Sequence, residues 1–285
     1  MEVVELPDVG AFLAAAEPVL LRDPAANNLP LGIAQQLVDR PGSYDEAFFW
    51  VARRGGAIVG AAIRTPPYPV VLAEPLAEEA VEAFVGELVR SQPGLPGVTA
   101  NEPWASRFAD AWTAATGEPW RLALGQGVFV LTAVEPPRPV GGACRPATER
   151  DRDLLVRWLE AFEREALQAT IRDEGFIERD LASRLGPETS AGFSIWDEDG
   201  QAVSLTGWRR IPGGARIGPV YTPPEVRGRG YASNLVAEVS AEMLERGSEA
   251  CFLYTDLGNP TSNAIYRRLG YERIGEASMI VFGEE

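Results

Sequence analysis

The sequence predicts a mixed α/β (α+β) fold in two tandem halves, each a mixed, mainly antiparallel sheet flanked by helices. Three observations predict it. Strand-like runs alternate with helix-like runs of period 3.6 along most of the chain. The stretch from Glu135 to Gly142 holds three prolines and two glycines and divides the 285 residues nearly in half; such a segment can neither continue a helix nor sit in mid-sheet. The order of elements after it recurs, weakly, before it. The expected domains are therefore residues 1–139 and 140–285.

In the first half, Phe48 to Arg53 and Ala57 to Arg64 flank a Gly55-Gly56 turn and read as a hairpin. Val70-Val71-Leu72 is the next strand. Glu78 to Val89 places Val81, Phe84, Val85 and Leu88 on one helical face. Val98-Thr99-Ala100 is a further strand, Trp104 to Ala115 a helix with Phe108, Ala111 and Trp112 in period, and Val128 to Val134 a closing strand.

The second half opens with a short strand, Ala143 to Arg145. Thr148 is placed to cap a helix with Asp151 in its first turn; Leu154, Leu155, Trp158, Leu159 and Phe162 recur on its apolar face. A second helix is expected from Ile177 to Arg184. Phe193 to Trp196 and Ala202 to Trp208 form a hairpin around Asp197-Glu198-Asp199-Gly200. A strand from Arg216 to Thr222, a glycine-rich turn, a helix from Ser233 to Leu244 and a buried strand from Ala250 to Thr255 follow.

Composition narrows the chemistry. A hydrophobic fraction of 46% is enough for two cores. The net charge of -15 argues against nucleic acid as a partner. All 26 basic residues are Arg, with no Lys and no His, which leaves no histidine base and no lysine Schiff base. The two cysteines, Cys144 and Cys251, lie in apolar surroundings and are expected as buried free thiols in a reducing cytosol. This ligand set predicts no metal site. Met1 is followed by Glu2 and Glu5 without a basic start, and no apolar run reaches spanning length; a cytoplasmic location without membrane contact is the expectation. Charge is uneven, however. From Gly207 to Ala232 five arginines (209, 210, 216, 227 and 229) face one acid, Glu225. A basic island on an acidic protein suits an anionic ligand.

That island contains Pro223-Pro224-Glu225-Val226-Arg227-Gly228-Arg229-Gly230-Tyr231-Ala232. A glycine-rich turn between a strand and a helix N-terminus is a place to bind phosphate, because the glycines let backbone approach a ligand and the first helical amides have no intrahelical partner. It is not a Walker A loop, since no lysine follows the second glycine. Nor is it the dinucleotide fingerprint, since Ser233 stands where the third glycine belongs. A Gly-Arg-rich surface turn is the bland alternative. Arg227, Gly230 and Ala232 match the Arg-x-x-Gly-x-Ala form of a pattern found in the GNAT superfamily of acyl-CoA-dependent N-acyltransferases. Downstream, Asn259, Ser262, Asn263, Tyr266, Gly270 and Tyr271 resemble the second signature of that superfamily, an Asn after the fifth strand, a short helix with a Tyr, then Gly-aromatic. The resemblance runs from about Gly141 to the end.

The resemblance implies acetyl-CoA as donor, lying where the fourth and fifth strands splay apart. Backbone groups of Val220 and Thr222 would pair with its pantetheine arm, and an amide near Val220 or Tyr221 would face the carbonyl oxygen. The amides of Gly228, Gly230, Tyr231 and Ala232, with Arg227 and Arg229, would hold its pyrophosphate. Asn259 would bind the arm from the other wall; Ser262 would do so or cap the short helix. A primary amine of a small molecule would attack the thioester directly in a ternary complex, and Tyr266 would protonate the departing thiolate. Glu165, Glu174, Glu225 and Asp256 are the candidate bases. Between the Val70 strand and its helix the first half carries Glu74, Glu78 and Glu79 where phosphate would sit, so residues 1–139 read as a degenerate GNAT-like domain without a cofactor loop. Protein lysine acetylation, a non-catalytic acyl-CoA-binding role and nucleotide binding are the alternatives; a homodimer is compatible with the resemblance.

Overall fold

A computed structural model describes residues 1–166, 175–185 and 190–283. It divides into two compact units, Met1–Gly127 with Gly275–Glu285, and Val128–Ile274.

The first unit comprises β1 (Glu2–Leu6), α1 (Val9–Leu20), α2 (Asn28–Asp39), β2 (Phe48–Arg54), β3 (Ala57–Arg64), β4 (Val70–Ala73), α3 (Glu78–Ser91), β5 (Gly97–Asn101) and α4 (Trp104–Thr116), and β6 (Trp120–Leu131) begins within it. Strands β1 to β4 pair antiparallel in chain order, and β4 runs parallel to β5. Side chains alternate across β2. Trp50 and Ala52 join Phe84, Leu88, Phe108 and Trp112 beneath α3 and α4, whereas Phe49 meets Phe12 of α1, ring centroids 5.4 Å apart.

The second unit comprises β7 (Ala143–Pro146), α5 (Arg152–Ala166), α6 (Phe176–Arg184), β8 (Ala191–Glu198), β9 (Gln201–Ile211), β10 (Gly214–Tyr221), α7 (Tyr231–Glu245), β11 (Cys251–Asp256) and α8 (Pro260–Arg268). Strands β7 to β10 pair antiparallel; β10 and β11 run parallel. The turn between β8 and β9 uses Asp199 (φ 53°) and Gly200 (φ 81°), the two left-handed residues that a tight hairpin of this twist requires. One core holds α7 with Tyr266, Leu269 and Tyr271. Another holds Leu155, Leu159 and Leu181 of α5 and α6 against Phe193, Leu205 and Tyr221.

The last strand, β12 (Glu272–Phe282), pairs antiparallel with β5, Ala277↔Asn101 through Val281↔Gly97. Phe282 stacks on Trp112, centroids 5.1 Å apart. The unit boundary thus differs from 139/140: Phe129 and Leu131 belong to a core of the second unit, while the C-terminal strand completes the first. Sequence periodicity also misses β1, α1 and α2, and it starts β6 eight residues late. The buried face of α1 is Phe12, Ala16 and Leu20, and that of α2 mixes Leu31 and Leu37 with Pro30, Gly32, Ala34 and the polar Asn28 and Gln36, which gives periodicity little contrast.

Candidate functional site

Strand β10 holds the site open. Its pairing with β9 slips register between Ile217 and Val220, at Gly218-Pro219. Its ladder with β11 runs through Ala215↔Cys251 and Arg216↔Phe252, although β10 continues to Tyr221 and β11 to Asp256. Past Arg216 the two parallel strands therefore separate, and one edge of β10 faces a gap. Proline is tolerated there because no ladder hydrogen bond is asked of its nitrogen. Gly207 lies opposite: a Cβ on it would stand 2.7 Å from the Gly218 carbonyl oxygen.

Beyond β10 the chain makes one turn of 3-10 helix, Pro224–Val226, then Gly228 and Gly230 take left-handed φ of 77° and 90°. Val226 turns its side chain into the core. Gly230 is the N-cap of α7 and offers no side chain to its first amides. The first helical bond joins the Asn234 N–H to the Gly230 carbonyl at 3.1 Å, so the amides of Tyr231, Ala232 and Ser233 have no partner within the helix. This is the chemistry of an anion cradle, reinforced by the helix dipole. Asn234, which motif matching passes over, holds the cradle in place: its Nδ2 donates to the carbonyls of Gly230 and Arg138, 3.0 Å each. The Tyr231 side chain is buried and its hydroxyl donates to Glu198, so only the Tyr231 backbone is offered to a ligand.

Of the five arginines in the basic island, Arg209 is buried and donates to Ser183 Oγ at 3.0 Å, with Asp180 3.9 Å away. Arg216 lies over the Tyr254 ring at 5.1 Å. Arg210 reaches the Arg246 carbonyl at 3.4 Å. The loop's charge therefore comes from Arg227 and Arg229, both exposed.

Arg227 ties three parts of the site together. Its Nε donates to the Thr222 carbonyl at 2.8 Å and its Nη2 to Glu165 Oε2 at 2.6 Å. Its guanidinium lies 5.7 Å from the centroid of the Tyr221 ring. The Tyr221 hydroxyl donates to Glu165 Oε1 at 3.4 Å, and burial, then the Glu165 charge, raise the Tyr221 pKa. The Thr222 carbonyl, expected as a free partner for a ligand, is thus taken by Arg227. The Tyr221 carbonyl accepts from Ser204 Oγ at 3.1 Å, and Thr222 Oγ1 lies 2.8 Å from the same hydroxyl.

On the other wall, Asn259 is the N-cap of α8: its Oδ1 accepts from the Ser262 amide at 3.0 Å. The cap is Asn259, and Ser262 is the residue capped, which corrects the alternative that Ser262 caps the short helix. Tyr266 is 8% exposed, in edge contact with Tyr271 at 5.9 Å. Among the described residues its hydroxyl has no hydrogen-bond partner, and burial pushes its pKa up to about 12. Of the candidate bases, Asp256 accepts from the Gly258 amide at 2.7 Å, Glu225 is exposed, and Glu174 lies outside the described residues. Among the described candidates, Glu165 is the one joined to both β10 and the loop.

Cys251 is buried, but Cys144 is only partly so; burial raises both thiols to about 12. Among the described residues no cluster of His, Cys, Asp and Glu could hold a metal, and no helix is long and apolar enough to cross a membrane.

In the first unit, β4 and β5 also run parallel, but the space beyond them is filled. The buried Asn27 uses its side-chain amide to bridge Glu74, donating to its carbonyl and accepting from its N–H, 2.8 Å each. Asn101, at the end of β5, donates to Glu74 Oε1 at 2.9 Å and to the Ala26 carbonyl at 3.0 Å. Helix α3 begins with Glu78 and Glu79, which pair with Arg107 at 3.2 Å and Arg54 at 3.5 Å.

The chain is similar to several known proteins. The FR47-like protein family matches residues 195–280, from β8 to β12. A mycothiol acetyltransferase from Salinispora tropica is 33% identical over 153 residues, 49% of this chain and 47% of the relative; the chain spans about half the length of the curated relative it matches. A GCN5-related N-acetyltransferase from Sphaerobacter thermophilus superposes with a TM-score of 0.60 at 21% identity, covering 99% of this chain and 95% of that one. A tandem GNAT protein from the clavulanic acid biosynthesis pathway gives 0.59 at 16% identity, with 99% and 98% covered.

Proposed function

We propose that this chain, which belongs to the GNAT superfamily, transfers an acetyl group from acetyl-CoA to a primary amine of a small molecule by direct attack in a ternary complex. The observation that carries the reading is the coincidence of two features. Strands β10 and β11 part after Arg216, and the uncapped N-terminus of α7, with Gly228 and Gly230 at positive φ, stands just past the end of β10. An extended arm ending in phosphates needs both. The 33% identity to a mycothiol acetyltransferase supports the same reaction class.

Acetyl-CoA supplies an activated acyl carbonyl with a thiolate leaving group. This chain's residues would do the rest. The free edge of β10 near Val220 would orient the donor and present a backbone amide to the charge that develops on the carbonyl oxygen. The amides of Gly228, Gly230, Tyr231 and Ala232, with Arg229, would hold the pyrophosphate. Asn259, whose Oδ1 caps α8, would use its Nδ2 toward the arm, whereas Ser262 is held at the first turn of α8. Tyr266 would give its proton to the thiolate, being a phenol that burial keeps protonated. The filled space beside Asn27 and the arginine-paired acids at the start of α3 support the reading of the first unit, expected as residues 1–139, as a degenerate GNAT-like domain without a cofactor loop.

Thermal unfolding with acetyl-CoA, free CoA, NAD and ATP in parallel tests the proposal. A ligand at one hundred times its Kd adds about 2.7 kcal/mol to the native state. A rise in Tm with acetyl-CoA and not with NAD or ATP is expected, followed by thiol release from a panel of small amines. No shift with any CoA overturns the proposal; a shift without turnover leaves a non-catalytic acyl-CoA-binding protein.

A further inference from the structure

We propose that Arg227 changes partner when the donor binds, and that the exchange delivers the Glu165 carboxylate to the amine acceptor. This rests on the acetyl-CoA reading above and goes beyond it by assigning the acceptor-side acid and coupling it to the phosphate loop.

The argument begins with what Arg227 now occupies. Its Nε takes the Thr222 carbonyl and its Nη2 takes Glu165. The first is a backbone group at the end of the free β10 edge, which a donor's amide-bearing arm would use. The second is a carboxylate that a cationic amine would use. Both are spent on one guanidinium that belongs to the loop expected to bind pyrophosphate. The side chains in the ion pair are 46% and 42% exposed, and a pair of that exposure contributes little net free energy. A doubly charged pyrophosphate is the stronger partner for a guanidinium. Moving Arg227 onto it frees the Thr222 carbonyl and Glu165 together. Glu165 is not left adrift, because the Tyr221 hydroxyl still donates to its Oε1.

The faces of the sheet give the exchange its chemical sense. Tyr221 packs in the core beneath α5 and α6, while its neighbour Val220 and Tyr266 lie with α7 and α8. Glu165, bound to the Tyr221 hydroxyl, and Tyr266 therefore lie on opposite faces of β10. An ammonium held by Glu165 passes one proton to that carboxylate, and the freed nitrogen adds to the thioester carbonyl. The tetrahedral adduct loses its second N–H proton to solvent as the C–S bond breaks and the thiolate takes a proton from Tyr266; exchange with solvent then restores the carboxylate and the phenol.

A double-mutant cycle on acetyl-CoA affinity, read by calorimetry at low salt, tests this without needing an acceptor. Glu165→Gln removes the competitor for Arg227 and is expected to tighten acetyl-CoA binding about two- to fivefold, the range an exposed ion pair supports. Arg227→Gln is expected to weaken it. In Arg227→Gln, adding Glu165→Gln is expected to change nothing. A Glu165 that served only the fold would lower Tm without tightening binding, and equal tightening in both backgrounds would show an effect of charge alone; either result overturns the exchange. If the wild type binds no acetyl-CoA, the functional proposal fails first. With an amine that turns over, Glu165→Gln should raise KM for the amine, and an unchanged acceptor KM would sink the assignment of Glu165.

Discussion

At the residue scale the sharpest test is Tyr266. As general acid it would contribute on the order of a hundredfold or more to turnover, while its buried ring packs on Tyr271 whether or not the hydroxyl is present. Tyr266→Phe is therefore expected to lower kcat at least about a hundredfold and to leave the acetyl-CoA Kd within about twofold, since that ring stays in place. A variant that keeps its rate would reduce Tyr266 to a packing residue. The hydroxyl carries a second prediction, with a definite sign. Burial raises the folded pKa to about 12 from an ordinary 10.0, so the fold prefers the protonated phenol. That preference is fully present below the ordinary value and is lost as pH climbs through the raised one. Tyr271, which shares a hydroxyl contact of 2.8 Å with Ser240, is shifted in the same direction. Alkaline unfolding of Tyr266→Phe, followed by circular dichroism, should be shallower above pH 10.0 than that of the wild type; identical profiles would mean the phenol ionises freely in the fold.

At the scale of elements, the loop and the two helices beside it can be taken apart by small substitutions. Gly228 and Gly230 both have left-handed φ, but a Cβ at 228 meets nothing within 4 Å, whereas at 230 it would lie 3.0 Å from Val140 Cγ1. Gly228→Ala should cost about 1 kcal/mol of backbone strain, and Gly230→Ala more, because Val140 must also give way. Urea denaturation orders the two, and a reversed order would mean that Val140 does not buttress the loop. Asn259 allows its two roles to be separated. Asn259→Ala removes the cap of α8 and should cost about 1 kcal/mol. Asn259→Ser keeps a capping oxygen but loses Nδ2, so it should hold stability and lose donor affinity if the amide faces the arm. These elements also show what the sequence could disclose. The strand, glycine turn and helix were legible because Gly and Pro punctuate sharply and because the apolar periods change from two to 3.6 at Tyr231. The use of Asn259 as cap rather than Ser262 was not, since both residue types cap helices and a one-dimensional pattern cannot say which oxygen reaches which amide. The fate of Arg209, read as part of a basic island, was equally hidden: Asp180 and Ser183 come to it through tertiary packing from α6, 26 or more residues earlier.

At the scale of the whole chain, the least legible feature is where the last strand goes. The order of elements calls for closing strands in the second half, and only the ladder from Ala277↔Asn101 to Val281↔Gly97 assigns β12 to β5. Local pattern specifies that a strand exists; its partner is a long-range choice made by the edge left open and by side chains that fit it. Here β5 would otherwise be an unpaired edge, an arrangement that invites aggregation. The core beneath α3 and α4 takes Ile280, 1% exposed, and Phe282, whose ring lies parallel to Trp112 within 6°. Fully burying a side chain such as Ile280 contributes about 1.5–3 kcal/mol, a large share of the net stability of a domain this size, and the partly buried Phe282 adds to it. Residues 1–127 expressed alone are therefore expected to be poorly folded, and the same fragment carrying residues 275–283 on a flexible linker to unfold cooperatively. A synthetic peptide of residues 275–283 should rescue the short fragment in proportion to its concentration, as binding to the native state requires. Phe282→Ala in that peptide should weaken the rescue by loss of the Trp112 contact, and a short fragment that unfolds as cooperatively without any peptide would mean the strand is an ornament of the first unit rather than part of its core.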